Sequence, residues 1–110
     1  MTADEYQVKA ARTINLDLSN TDIELHALFG MASEMGEVHS IYQKYYQGHD
    51  RDKEHVRKEL GDLLWFIAEL CTINGWQLSD VMATNIYKLE SRYPNGFEPK
   101  RSLHREEGDI

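Results

Sequence analysis

Four carboxylates stand out by position. They fall in two segments of one form, Glu34-Met-Gly-Glu37 and Glu59-Leu-Gly-Asp62. On helices, an i, i+3 spacing puts both acids of a pair on one face, with Cβ atoms about 5–6 Å apart. In a chain with 19 Asp and Glu residues, a lone pair of this kind usually marks a solvated face. The flanking residues argue otherwise, because Asp62 leads directly into Leu63-Leu64-Trp65-Phe66-Ile67. Buried carboxylates are costly unless they are paired or bind metal. The cations nearby in sequence, Lys44, Arg57 and Lys58, are too few to pair with all four acids. A divalent cation is the economical partner for all four acids. An all-oxygen donor set favours Mg²⁺, Mn²⁺ or Ca²⁺ over zinc. Mg²⁺ typically takes one or two carboxylates, keeps several waters and shares substrate phosphates. A di-iron centre needs two Glu-x-x-His motifs, and no Glu in this chain has a His three residues later. His39 falls on an apolar stripe and reads as a packed core residue.

A second polar set is Asn85, Lys88 and Arg92, spaced i, i+3, i+7 beside Val81. It is either an exposed helix face or a clamp of two cations and an amide for a polyphosphate.

The elements that must carry these residues are helices. Both prolines, Pro94 and Pro99, lie near the C-terminus, and no strand-length alternation is present. The pattern predicts an all-α domain with a first helix from about Ala3 to Ile14. A second helix is capped within Ser19–Asp22 and runs to Gln47, with Gly48 beyond it. A third starts near Asp50 or Asp52 and ends before Gly75. A fourth, capped by Ser79, stops at Tyr93 because Pro94 follows. Residues 98–110 read as a polar tail behind a domain spanning 1–97.

On the second helix, Leu25, Leu28, Ala32, Met35, His39 and Tyr42 form one stripe. Ile23, Ala27, Gly30, Glu34, Glu37 and Ile41 form another, whose small residues permit close helix approach. The third helix is apolar nearly all round from Leu60 to Leu70 and is expected to be buried. One chain has few elements to cover both helices, so a homo-oligomer is expected.

With 110 residues the chain is one domain, expected to bury roughly 60–70% of its unfolded surface around a modest core. A net charge of −7 argues against general nucleic-acid binding. It does not exclude a phosphate substrate, because a metal ion inverts the local charge. The single cysteine, Cys71, allows no intrachain disulfide, and no apolar signal segment opens the chain, so a cytoplasmic protein is expected. The longest apolar run, Leu63 to Ala68, is too short to span a bilayer.

The order Glu34-x-x-Glu37, a 21-residue gap, then Glu59-x-x-Asp62 resembles the metal signature of the MazG-like, all-α nucleoside triphosphate pyrophosphohydrolases. The stretches SEMGEV and KELGDLLWFIAEL are similar to the two motif helices of that family, and NIYKLESRYPNGF to a segment of its small, phage-type members. The similarity covers roughly Leu28 to Phe97. It implies a compact helical bundle of about four helices, completed by assembly into dimers or tetramers. It implies Mg²⁺-dependent hydrolysis of a nucleoside triphosphate to the monophosphate and pyrophosphate, with Mn²⁺ as a substitute. By motif position, Glu34, Glu37, Glu59 and Asp62 would bind metal, and Asn85, Lys88 and Arg92 would contact phosphates. Glu37, or else Glu34, would take the proton of the attacking water. Phe66, four residues after Asp62, would either pack on the base or belong to the core. Two further readings remain at this point: a non-catalytic metal- or nucleotide-binding module, and an oligomerisation module whose acids pair with cations across an interface.

Overall fold

The computed structural model describes all 110 residues. It contains five helices in the order α1 (Ala3–Ala11), α2 (Asn20–Tyr46), α3 (Lys53–Ile73), α4 (Leu78–Arg92) and α5 (Pro99–Leu103), with no strands. The chain is all-α, as the sequence pattern predicts. No helix is long and apolar enough to cross a membrane.

Local chemistry fixes most helix ends. Ser19 caps α2 by accepting from the Asp22 N–H at 3.1 Å, and Asp52 caps α3 by accepting from the His55 N–H at 3.0 Å. Two expected boundaries are corrected. The first helix stops at Ala11 rather than Ile14. There the Thr13 hydroxyl donates to the Ala10 carbonyl at 2.9 Å and accepts from Trp65 Nε1–H at 2.9 Å. A side chain bonded that way competes with continued helix. The fourth helix starts at Leu78, so Ser79 lies inside it and is not its cap. The N-terminus of α4 is satisfied instead by α1. Asp4 accepts from the Ser79 N–H and hydroxyl at 3.2 and 2.8 Å, and Gln7 Oε1 accepts from the Leu78 N–H at 2.7 Å. Gln7 Nε2 also donates to the Trp76 carbonyl at 2.8 Å. A tertiary cap thereby replaces a local one.

Helices α2 and α3 form an antiparallel pair, with His26 opposite Glu69, Gly30 opposite Phe66 and Glu34 opposite Glu59. The stripe through Ile23, Ala27 and Gly30 faces α3, and Ile23 and Ala27 are buried. At Gly30 the Phe66 ring of α3 packs directly against α2: a Cβ built there would overlap the ring. Lower in the pair, Glu69, only 2% exposed, is met by His26 Nδ1 at 2.9 Å from one oxygen and 3.2 Å from the other. Trp65 turns away toward α1, where its indole N–H is satisfied.

Two expectations about burial are overturned within one chain. The stripe Leu25–Leu28–Met35–His39–Tyr42 is exposed, because α3 packs on the other face of α2. Helix α3 is not buried all round, since Leu60 and Leu64 face solvent. Every residue from Val81 to Glu90 on α4 is exposed as well, because α4 rests on α1 mainly through its first turn. Only seven residues are buried, so the single chain lacks the modest core expected. Its radius of gyration is 17.2 Å, against about 13 Å for a compact domain of this length. Its accessible surface is 8488 Å², against about 6300 Å² for a folded monomer of this mass.

The Gly30–Phe66 contact gives a sign that helix propensity alone would reverse. Gly30→Ala should destabilise the protein by about 1–3 kcal/mol through overpacking, although Ala normally favours a helix over Gly. A denaturant titration of the two proteins measures this, and a gain in stability would contradict the packing described.

Candidate metal centre

The antiparallel pairing of α2 and α3 brings the two acidic segments together. Glu34, Glu59 and Asp62 each offer a carboxylate oxygen, and these oxygens lie within 4.8 Å of one another. Glu34 and Glu59 are half-buried and Asp62 is exposed. Glu37, the fourth acid of the sequence pattern, is not in this cluster. It lies one turn further along α2 in solvent, near enough for its charge to raise the pKa of Glu34.

The electrostatics are those of like charges confined together. The Glu34 carboxyl is pushed up to about 7 from its ordinary 4.5. The first cause is a hydrogen bond to Glu59, followed by burial and by the charges of Glu59, Asp62 and Glu37. Glu59 is shifted down, first by accepting that hydrogen bond and then by His55. The pair thus shares one proton, with Glu34 as donor. Burial, and after it the charge of Asp62, raises the Tyr6 phenol on α1.

Two features fit this cluster to a divalent cation. Glu34 Oε2 is buried with no hydrogen-bond donor facing it. No Lys or Arg forms an ion pair with any of the three acids; Arg57 pairs with Glu54 instead. Three hard oxygen donors, one of them orphaned, suit Mg²⁺ or Mn²⁺.

His55 is the residue that the sequence analysis did not place. Its Nε2 lies 2.9 Å from Glu59 Oε1. The available signal was the i, i+4 spacing of His55 and Glu59 on one helix. A ligand carboxylate held by a second side chain is oriented for its metal.

The remaining predicted site residues are placed elsewhere. Phe66 lies over Gly30, with its ring centroid 5.4 Å from that of His26 and 5.1 Å from that of Trp65. It is a packing residue of the α2–α3 interface. Asn85, Lys88 and Arg92 lie on α4. Lys88 and Arg92 line a cleft shared with the C-terminal tail, which none of the four acids lines. Arg92 is ion-paired to Asp109.

The chain is thus an all-α protein whose helix pair α2–α3 brings acids of an ExxE and an ExxD segment together. Residues 24–97 match the family model of the MazG nucleotide pyrophosphohydrolase domain, and the chain belongs to that family. It is also similar to the gene 37 protein of Mycobacterium phage L5, with 28% identity over 105 residues, covering 87% of this chain and 92% of that protein. No solved structure matches.

The proton shared by Glu34 and Glu59 sets a pH dependence. Between about pH 4.5 and 7 the folded state retains a proton on Glu34 that the unfolded state releases. Stability of the metal-free protein should therefore fall as pH rises through that window. The lowered Glu59 works in the opposite sense only below the ordinary carboxyl range. Added Mg²⁺ competes with the proton, so it should raise Tm more at about pH 8 than at about pH 5. Thermal melts with Mg²⁺ and with EDTA measure both effects. A Tm insensitive to Mg²⁺ at pH 8 would remove the metal reading.

Proposed function

We propose that this protein hydrolyses a nucleoside triphosphate to the nucleoside monophosphate and pyrophosphate. The observation that carries the proposal is the Glu34–Glu59–Asp62 cluster with its orphaned carboxylate oxygen, in a chain of the MazG family. Mg²⁺, with Mn²⁺ as substitute, is the proposed cofactor. When bound, it neutralises the triphosphate and lowers the pKa of a coordinated water.

The protein's own residues then divide the work. Glu34, Glu59 and Asp62 hold the cation, and His55 holds Glu59 in place. Glu37 lies outside the cluster and in solvent. A carboxylate free of ligation is suited to accept the proton of the attacking water, so Glu37 is the proposed base in preference to Glu34. Lys88 and Asn85, with Arg92 once it is released from Asp109, are the proposed phosphate contacts that stabilise the leaving pyrophosphate.

A homo-oligomer, dimer or tetramer, is part of the proposal. The chain exposes about 2200 Å² more than a folded monomer of its mass. That excess is apolar where α2, α3 and α4 present Leu25, Leu28, Leu64, Met82 and Ile86. Assembly would cover these faces and would let α4 of one protomer offer its cations to the acids of another. Only monomer in light scattering at micromolar concentration would overturn this part. The chain is proposed to be cytoplasmic and to take the nucleotide rather than nucleic acid as its partner.

Chromatography of the products from a panel of ribo- and deoxynucleoside triphosphates, with and without Mg²⁺, tests the reaction. Monophosphate and pyrophosphate should appear only with metal. Orthophosphate as the first product would overturn the proposal, and a nucleotide that shifts Tm without being consumed would favour a binding module. Glu59→Gln should abolish turnover with the helical circular dichroism unchanged. Glu37→Gln should lower kcat by roughly 10²–10⁴-fold while the Mg²⁺-dependent rise in Tm persists.

A further inference from the structure

The C-terminal tail folds back onto α4 rather than trailing into solvent. Arg92 Nε donates to one oxygen of Asp109 at 2.7 Å, and Nη2 donates to the other at 2.6 Å. The two side chains are only 9% and 16% exposed. Gly108, at φ +86°, turns the chain so that Asp109 reaches back, and the Asp109 N–H closes the turn on the Glu106 carbonyl at 3.1 Å. Lys88 and Arg105 also act on this carboxylate, and together with Arg92 they hold it below its ordinary range. The cleft around it, about 810 Å³, is lined by five Lys and Arg residues out of 12 in a chain of net charge −7.

We propose that Arg92, Lys88 and Arg105 form a polyphosphate site, and that Asp109 occupies it as an internal competitor. The proposal rests on reading Lys88 and Arg92 as phosphate-binding residues, and not on the outcome of the hydrolysis.

The arginine fork is the first argument. Two parallel N–H groups on two oxygens of one acid is the geometry by which Arg also grips phosphate. Charge is the second argument. Three cations converge on a single carboxylate of charge −1, whereas one phosphate group carries about −1.5 to −2 near neutral pH. A diphosphate or triphosphate chain is the better match for three cations. The tether is the third argument. Leu103 and Ile110, the large apolar residues of the tail, are 77% and 91% exposed. The tail is therefore held chiefly by the Arg92–Asp109 pair, which a competing polyanion can break. Glu106 and Glu107 on the cleft rim add repulsion toward free phosphate for as long as the tail stays docked.

Such a competitor lowers apparent affinity by the fraction of time the site is open. The test is calorimetric titration of sodium pyrophosphate in excess EDTA, which removes any contribution of metal at the acid cluster. Asp109→Asn should bind pyrophosphate about tenfold more tightly than the wild type, as for a tail docked roughly nine-tenths of the time. Arg92→Gln should abolish that binding in either background. Pyrophosphate should also speed carboxypeptidase removal of Ile110 and Asp109 from the wild-type tail. Equal affinity of the wild type and Asp109→Asn, or a tail whose cleavage ignores pyrophosphate, would overturn the proposal. The product assay with Mg²⁺ reports separately on the reaction, so failure of one leaves the other standing.

Discussion

Carboxylates from two helices are confined within 4.8 Å of one another, without a Lys or Arg among them. Like charges held that close oppose the pairing of α2 and α3 at the place where those helices must meet. The metal-free protein relieves the conflict by retaining a proton on Glu34. A divalent cation would relieve it more fully, because it would also give the orphaned Glu34 Oε2 a partner. The same unfavourable charge that strains the fold is therefore what suits the cluster to a hard cation.

The rest of the α2–α3 interface opposes that repulsion. Gly30 leaves room for the Phe66 ring, and the aromatic cluster of Phe66, Trp65 and His26 packs beside it. His26 meets Glu69, the one buried charged residue, across the interface. Helix α1 then ties the pair to α4. Trp65 donates to Thr13 and Ala10, while Asp4 and Gln7 satisfy the first N–H groups of α4. This short helix acts as a clamp whose two ends serve two different partners.

What one chain leaves open is as informative as what it closes. The outer faces of α2 and α3 and most of α4 keep large apolar side chains in solvent. The hydrophobic effect penalises such surface roughly in proportion to its area. The cations of α4 meanwhile line a cleft with the tail that none of the four acids lines. The acids and the α4 cations thus lie at separate places in one chain, and the helices that carry them leave apolar side chains exposed.

By itself the sequence determined the helical class, the second and third helices nearly to the residue, and the two acidic segments as the residues worth bringing together. Those features are local or periodic: Ser19 and Asp52 cap through their own side chains, and i, i+3 acids share a face whatever else the chain does. It also anticipated that the Ile23–Ala27–Gly30 stripe would take a close neighbour. Only the tertiary structure decided that Glu37 stands apart, because which three of the four acids converge depends on the register between α2 and α3. It alone decided that Ser79 answers to Asp4, that His55 supports Glu59, and that Asp109 reaches Arg92. Contacts between residues 75 or 17 positions apart leave no periodic trace in the chain, because they arise from packing rather than from local backbone geometry.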